Sequence, residues 1–419
     1  MDEGLYMEIA RKKRILEYME QNGVVFVRLA FCDIFGQLKN ISISVKSLER
    51  ALDHGIGFNA AAIRGFLNVE DSDLLLFPDP DTMKVLPWRP SEEKVARFFC
   101  DIRYTDGRPF EGDVRYLLKT YEKKLHESGT DLRIKTDCEF YLFKLDSEGN
   151  PTDIPMDKAS YFEVAPIDKG EDIRRDICLT MDRMGIDHLA SHHEKGPGQN
   201  EVRFNAAGLL EAADNLITFK DIVKVCANRM GLFASFLPKP LFTENGSGIA
   251  ISISKDEPRA TRSKTAMEMA GGILRRIEET TIFLNPIANS YERFETPQTV
   301  SYGFGNQQIL VKVHPEDCRV KVSSADPSCN PYLAFLLLTG AAVEGIAGQL
   351  SPNDFSTGKA LPDTMIDAVR IAQESEFTRT LIPEVLFDGF LKAKKADWEE
   401  SSLSGDPMLK AKNMEFPVT

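Results

Sequence analysis

The chain has 419 residues, with 51 Lys and Arg against 64 Asp and Glu, so its formal charge is 51 − 64 = −13. Its 42% apolar content is enough to fill a real core, which excludes disorder as the main description, and the length suggests about two or three domains. A sequence pI ≈ 5.2 gives no overall attraction to phosphate backbones or anionic bilayers. No nucleic-acid and no membrane partner is expected, and any anionic substrate must meet a local positive site.

The opening stretch MDEGLYMEIARKKRILEYMEQNG reads as a charged amphipathic helix rather than a signal peptide, because it lacks a continuous apolar run, and a cytoplasmic location is expected. From Val24 to about Asp101 the pattern is strand-like: VVFVRLAFCD, GQLKNISIS, DLLLFPD, MKVLPW and VARFFCDI are separated by Gly, Pro and Asp. This predicts a small β-rich domain over residues 1–103. The amphipathic stretch EGDVRYLLKTYEKKLHESG predicts a helix, and RIKTDCEFYLFKLD a strand ending in the turn DSEGNP. Over residues 104–419, helical stretches (Asp172 to Met184, Ala207 to Met230, Thr261 to Phe283, Asn330 to Leu350, Leu361 to Glu374) alternate with strands such as HLASHHE, NEVRFNA, GIAISISKD and QQILVKVH. Such mixing predicts a larger α+β domain on a largely antiparallel sheet. The longest apolar run, Tyr332 to Val343, stops at Glu344, short of the roughly 20 residues a membrane span needs, and reads as a buried helix. Seven scattered cysteines without CxxC spacing fit reduced thiols in apolar surroundings.

Three strands carry acids near turns: Asp137 and Glu139 in DCE, Glu194 in HHE, and Glu201 in GQNEVRF. Residues two apart in a strand share a face, so Asp137 and Glu139 point the same way. Glu139, between Cys138 and FYLF, needs a cation or a donor as partner, and oxygen ligands converging from several strands suit Mg²⁺ or Mn²⁺. His192 and His193 face opposite ways and read as structural. Gly246 and Gly248 in ENGSGIAIS would let backbone approach a ligand closely. Arg174, Arg175, Arg293, Lys312, Arg319 and Lys321 could meet an anion, but composition does not choose among them.

Taken in order, FCDIFGQLKNISI, DSDLLLFPDPDT, RPFEGDVR, YFEVAPIDKGEDIRRDI, ASHHEKGPGQNEVRF, LPKPLFTENGSG, NPIANSYERF and DPSCNPYLA resemble glutamine synthetase of the bacterial and archaeal type I, over nearly the whole chain. The resemblance implies an N-terminal β-grasp domain plus a larger C-terminal catalytic domain on an antiparallel sheet. It also implies a homo-oligomer of two hexameric rings, a dodecamer with active sites between neighbouring subunits, and ATP with two divalent cations as cofactors. It places Glu139, Glu194 and Glu201 as ligands of the first cation, with Glu139, Asn245, Gly246 and Arg293 at the amino-acid substrate. Arg174, Arg175 and Ser254 fall at the nucleotide end.

The positions of the second cation look like Asp137, Ala250 and Lys321, so only a shortened acid survives there. An ammonium about 4 Å from a divalent ion is repelled by roughly 8 kcal/mol at an effective dielectric near 20. One ion is therefore expected, with Lys321 in the space of the second. The motif whose aspartate helps deprotonate ammonium appears as Asn59, Ala60, Ala61 and Ala62, and an amide cannot serve as that base. The flap after NSYERF reads short, and arginines that steady the phosphoryl group look replaced by Gln307, Lys312 and Ser323. No segment like the adenylylation loop of the larger type I enzymes is visible between Leu350 and Pro362.

These departures predict an ATP-dependent ligase that joins a small-molecule carboxylate to an amine larger than ammonia, of the γ-glutamyl-amine type, with Lys321, Lys312 and Arg293 as its catalytic cations. The alternatives are a catalytically silent homologue, a pseudoenzyme with a binding or regulatory role, and an ATP-independent hydrolase using one metal.

Overall fold

The computed structural model describes residues 3–66, 73–89, 92–294, 298–305 and 309–404, and Gln307 with part of the flap after NSYERF lies outside them. The chain forms two compact units, Met1–Leu117 with Arg183–Gly185, and Leu118–Asp182 with Ile186–Thr419.

In the first unit the described strands are β1 (Val24–Cys32), β2 (Leu38–Ser44), β3 (Ile56–Asn59), β4 (Asp73–Pro78), β5 (Lys84–Val85) and β6 (Lys94–Tyr104). They form a sheet in the order β2-β1-β6-β4-β3, with β5 on β6. The β1–β2 hairpin turns on Asp33, whose Oδ1 accepts the amides of Phe35 and Gln37, while Gly36 takes φ +76°, a left-handed conformation that costs glycine little. β1 then pairs in parallel with β6, which requires the long crossover between them. Val27, Leu29, Leu48, Ala51, Leu74, Leu76 and Phe98 are fully buried, so the helix Leu48–His54 contributes to this core.

The second unit holds β7 (Leu132–Leu145), β8 (Pro151–Pro155), β9 (His188–His193), β10 (Gln199–Phe204), β11 (Leu232–Ser235), β12 (Ile249–Lys255), β13 (Tyr302–Gly303), β14 (Val311–His314) and β15 (Arg319–Val322). Their order is β13-β14-β15-β12-β7-β10-β9, with β8 and β11 also on β7, and every pairing except β13–β14 is antiparallel. Alternation explains the sheet's two faces. Ile134, Cys138, Phe140, Val202, Ile249, Ile251, Ile253, Val311, Val313, Val320 and Val322 are buried on one face, where Phe140 meets Phe219 of the helix Leu209–Arg229 edge-on at 5.9 Å. The residues between them carry the polar and charged side chains of the opposite face.

The run from Tyr332 is the helix Pro331–Ala347, capped by Asn330, whose Oδ1 accepts the Tyr332 amide. It packs so closely on the helix Arg262–Leu284 that a Cβ at Gly272 would lie 2.0 Å from the Ala341 carbonyl oxygen. No helix among the described residues is long and apolar enough to cross a membrane. All seven cysteines are free and buried, as their scattered spacing predicts.

Candidate active site

Register divides the polar face into rows of different charge. In the first row Glu139 of β7 stands opposite Glu201 of β10, which stands opposite His192 of β9. In the next, Ala250, Asp137 and Arg203 are aligned across β12, β7 and β10. In the third, Lys312, Lys321, Ser252 and Lys135 are aligned across β14, β15, β12 and β7. Acid therefore gives way to base along the strand direction of one sheet face.

The acid row meets the first sequence expectation, since Glu139 does have donors. Its Oε2 accepts the Gln199 side-chain amide at 3.0 Å and the Gly248 backbone amide at 2.9 Å. These do not offset its surroundings: burial first, then the neighbouring Glu194, push the Glu139 carboxyl up to about 8. Burial also raises Glu201, although Arg203 Nε donates to it at 2.6 Å. One histidine departs from expectation. His192 Nε2 lies 2.9 Å from Glu194 and 3.7 Å from Glu201, and the donor atoms of these three residues lie within 4.8 Å of one another. His193 points the other way into a buried network with Asp157 at 3.1 Å, as a structural histidine does. Carboxylate oxygens of Glu194 and Glu201 beside the His192 imidazole are donors that suit a hard or borderline divalent cation, and Glu139 adjoins them, its carboxyl raised by burial first and then by those two glutamates.

The second row does not suit a cation. Lys321 Nζ donates to Asp137 Oδ2 at 2.9 Å, and Lys135 Nζ stands 3.9 Å from the other oxygen. Ala250, in register with Asp137, offers no ligand atom. An ammonium already neutralises the one acid there.

Arg293 follows the short helix Ala288–Glu292 and lies against the ENGSG loop. A Cβ at Gly246 would fall 2.3 Å from Arg293 Cγ, so only glycine lets the two pack as they do. One Arg293 guanidinium nitrogen donates to the Ser324 carbonyl, while its Nε and the hydroxyls of Ser247 and Ser324 are buried without hydrogen-bond partners. Leaving such groups unpaired costs about 1–3 kcal/mol each, so they remain available to a polar partner. Asn245 is held through its carbonyl, which accepts the buried Tyr141 hydroxyl at 2.5 Å.

The remaining sequence candidates are dispersed. Arg174 is buried and committed to Asp168 and to Asn200 Oδ1, the latter at 2.6 Å. Asn200 adjoins Glu201 in β10 and so lies on the opposite sheet face. Arg175 is exposed on the helix Glu171–Arg183, which also carries Arg174, and lies 3.2 Å from Asp172. Ser254 is on the polar face, in register with Arg319 and Arg133. In the first unit, Asn59 caps a short turn by accepting the Ala61 amide at 2.8 Å, with Ala60 buried and Ala61 and Ala62 exposed. Gln199 and Arg203 escaped the sequence reading. Their signal was the alternation of GQNEVRF, which sets both on the face of Glu201.

Fold and site together define an α+β protein with a row of acids on the polar face of one largely antiparallel sheet and an arginine, Arg293, against the ENGSG loop beside it. The profile described as glutamine synthetase, beta-Grasp domain, matches residues 23–105, and that described as glutamine synthetase, catalytic domain, matches residues 111–410. Glutamine synthetases of Clostridium saccharobutylicum and Methanosarcina mazei are 38% and 37% identical to it over 421 residues, covering 93% of this chain and 95% and 94% of theirs. The structure of apo GmaS without ligand matches with TM-score 0.84 and 26% identity over 92% of this chain and 96% of that one. The GmaS/ADP complex gives 0.82 at the same identity and coverage. The chain belongs to the glutamine synthetase family, and the expected β-grasp domain followed by a larger catalytic domain is what is found.

Proposed function

We infer that the protein is an ATP-dependent carboxylate-amine ligase of the γ-glutamyl-amine type, using one divalent cation, Mg²⁺ or Mn²⁺, and an amine larger than ammonia. The observation that carries this reading is the Lys321–Asp137 contact of 2.9 Å, which sets a fixed positive charge where the resemblance implies a second ion. The match to GmaS with and without ADP supports a ligase that binds nucleotide.

In this reading Arg293 grips the carboxylate substrate through donors that otherwise lack partners, and Gly246 and Asn245 shape the pocket around it. The γ-phosphoryl group passes from ATP to the carboxylate oxygen as its bond to the β-phosphate breaks and ADP is released. The uncharged amine then attacks the acyl carbon, the acyl–oxygen bond breaks, and phosphate leaves carrying the proton that the amine nitrogen gives up. A cation held by Glu139, Glu194 and Glu201 supplies charge neutralisation at the phosphoryl oxygens when bound. Lys321 and Lys312 offset the charge that develops on the same group. Asn59 cannot take a proton as the aspartate of the resembling motif does, so an amine that reaches the site already uncharged suits it better than ammonium. Arg175 and Ser254 belong to the nucleotide end of this scheme, and two hexameric rings to its assembly.

The test is ADP release from ATP and Mg²⁺ with L-glutamate and a panel of primary amines, ammonia included, with mass detection of the amide. An amine preferred over ammonia by about tenfold or more is expected, a difference of roughly 1.4 kcal/mol. No ADP release with any amine, or ammonia as the best substrate, overturns the reading.

A further inference from the structure

Arg203 stands between two carboxylates. It shares the polar face of β10 with Glu201, two residues away, and its Nε donates to Glu201 Oε1 at 2.6 Å. Across the sheet it is in register with Asp137 of β7 on one side and Ala190 of β9 on the other, and of these only Asp137 offers a side-chain acceptor. Directly opposed residues have Cβ atoms about 4.5–5.5 Å apart, within the reach of an arginine. Burial opposes the guanidinium charge, Glu201 and then Asp137 favour it, and its pKa is raised.

Each carboxylate gives the guanidinium a reason to move. Glu201 Oε1, the oxygen that Arg203 holds, is also the one 3.7 Å from His192 Nε2, beside the donor atoms that suit a divalent cation. A cation and a guanidinium on one oxygen repel each other. Asp137 has the complementary gap. Its Oδ2 accepts Lys321, but its Oδ1 is buried and accepts no hydrogen bond among the described residues, with Lys135 Nζ 3.9 Å away. An acceptor left that way costs stability, and a guanidinium fork satisfies it. Arg203 has donors to give, since Glu201 takes its Nε alone, and with 35% of its side chain exposed it has room to change rotamer.

We propose that Arg203 sets the divalent-cation affinity of the acid row by exchanging between two carboxylates: it competes with the cation for Glu201 and pairs with Asp137 once displaced. No covalent bond changes. One ion pair replaces another, and the displaced charge stays on the same sheet face, two residues along the strand from the ion. The role rests on the reading of the acid row as a cation site and needs neither the amine nor turnover.

Isothermal titration of the full chain with Mn²⁺, without nucleotide, tests it. Arg203→Met keeps the length and removes the charge; it is expected to bind Mn²⁺ about tenfold more tightly, and Arg203→Lys to stay within about threefold of the parent. Asp137→Asn takes away the second seat and should weaken Mn²⁺ binding in the parent but much less in Arg203→Met, a coupling that a double-mutant cycle reads. In EDTA, Arg203→Met should lower the melting temperature by leaving Glu201 without its donor, and saturating Mn²⁺ should remove that difference, which separates a lost tether from a lost fold. If Arg203 instead orients Glu201 as an outer partner of the bound ion, Arg203→Met weakens Mn²⁺ binding and overturns the proposal, as does an equal effect of Asp137→Asn in both backgrounds. A parent chain that binds no Mn²⁺ rejects the acid row as a cation site and the proposal with it. Mn²⁺ binding that Arg203→Met leaves unchanged rejects the exchange alone.

Discussion

Lys321 reaches over the intervening strand β12 to place its ammonium 2.9 Å from the Asp137 carboxylate, joining β15 to β7 by charge. Asp137 is largely buried, and without Lys321 its carboxylate would be left with Lys135 at 3.9 Å and with Arg203, its register partner on β10, for countercharge. The contact thus settles the polarity of the middle of the sheet face.

Replacing that lysine should reopen a cation site. In Lys321→Glu combined with Ala250→His, two ligands join Asp137, and metal titration is expected to rise from one divalent ion per chain to two. A count that stays at one would show that these three positions do not converge on an ion.

Glu139 gives the protein a pH dependence of defined sign. Its folded pKa, about 8, lies above the ordinary carboxylate value of 4.5, so the folded chain holds this proton more tightly than the unfolded chain. Without divalent ions, the Glu139 contribution to stability therefore falls as pH rises from about 4.5 to about 8, then levels. Melting curves in EDTA are expected to show this slope, and Glu139→Gln to remove it. Mg²⁺ should raise the melting temperature more at the alkaline end of that window, where Glu139 is ionised and able to ligate.

Gly246→Ala tests the carboxylate pocket. The new methyl would lie 2.3 Å from Arg293 Cγ and 2.9 Å from the Pro238 carbonyl oxygen, so Arg293 must move. A cost of about 1–3 kcal/mol in stability is expected from the overpacking. The affinity for the carboxylate substrate should fall in parallel, whereas an unchanged affinity would remove Arg293 from that role.

Arg174 and Arg175 are adjacent in sequence and should behave as opposites. Arg174→Ala strands buried Asp168 without its cation, an error worth about 3–5 kcal/mol, and should lower the melting temperature sharply. Arg175→Ala removes an exposed side chain and should change stability by no more than about 0.5 kcal/mol. If Arg175 serves the nucleotide, ADP affinity drops in that variant while the melting temperature holds.

Most elements were legible because their patterns are strong. VVFVRLAFC and LRIKTDCEFYLFKL alternate or saturate with apolar residues over nine and fourteen positions, and both are strands. The four-residue strands Ile56–Asn59, Leu232–Ser235 and Arg319–Val322 went unread, since so short a segment carries no period and forms only because a neighbouring strand satisfies its backbone. His192 was read as structural for a related reason. Alternation says that it and His193 face apart, but only the β9–β10 register says which of them meets Glu201. Strand alternation offered the three glutamates as oxygen ligands for a divalent cation, and the resemblance assigned them to one ion.

By itself the sequence determined the family, the two-part organisation, the glutamates and the lysine that stands at position 321. It could not determine what that lysine faces. Asp137 and Lys321 are 184 positions apart, and local sequence encodes only which side of its own strand each occupies. The order β15-β12-β7 and the register within it bring the two charges together, and both are fixed by the burial of the opposite apolar face. A shift of one residue in any of those strands would turn its isoleucines or valines to water, and the hydrophobic cost of that shift is what holds Lys321 against Asp137.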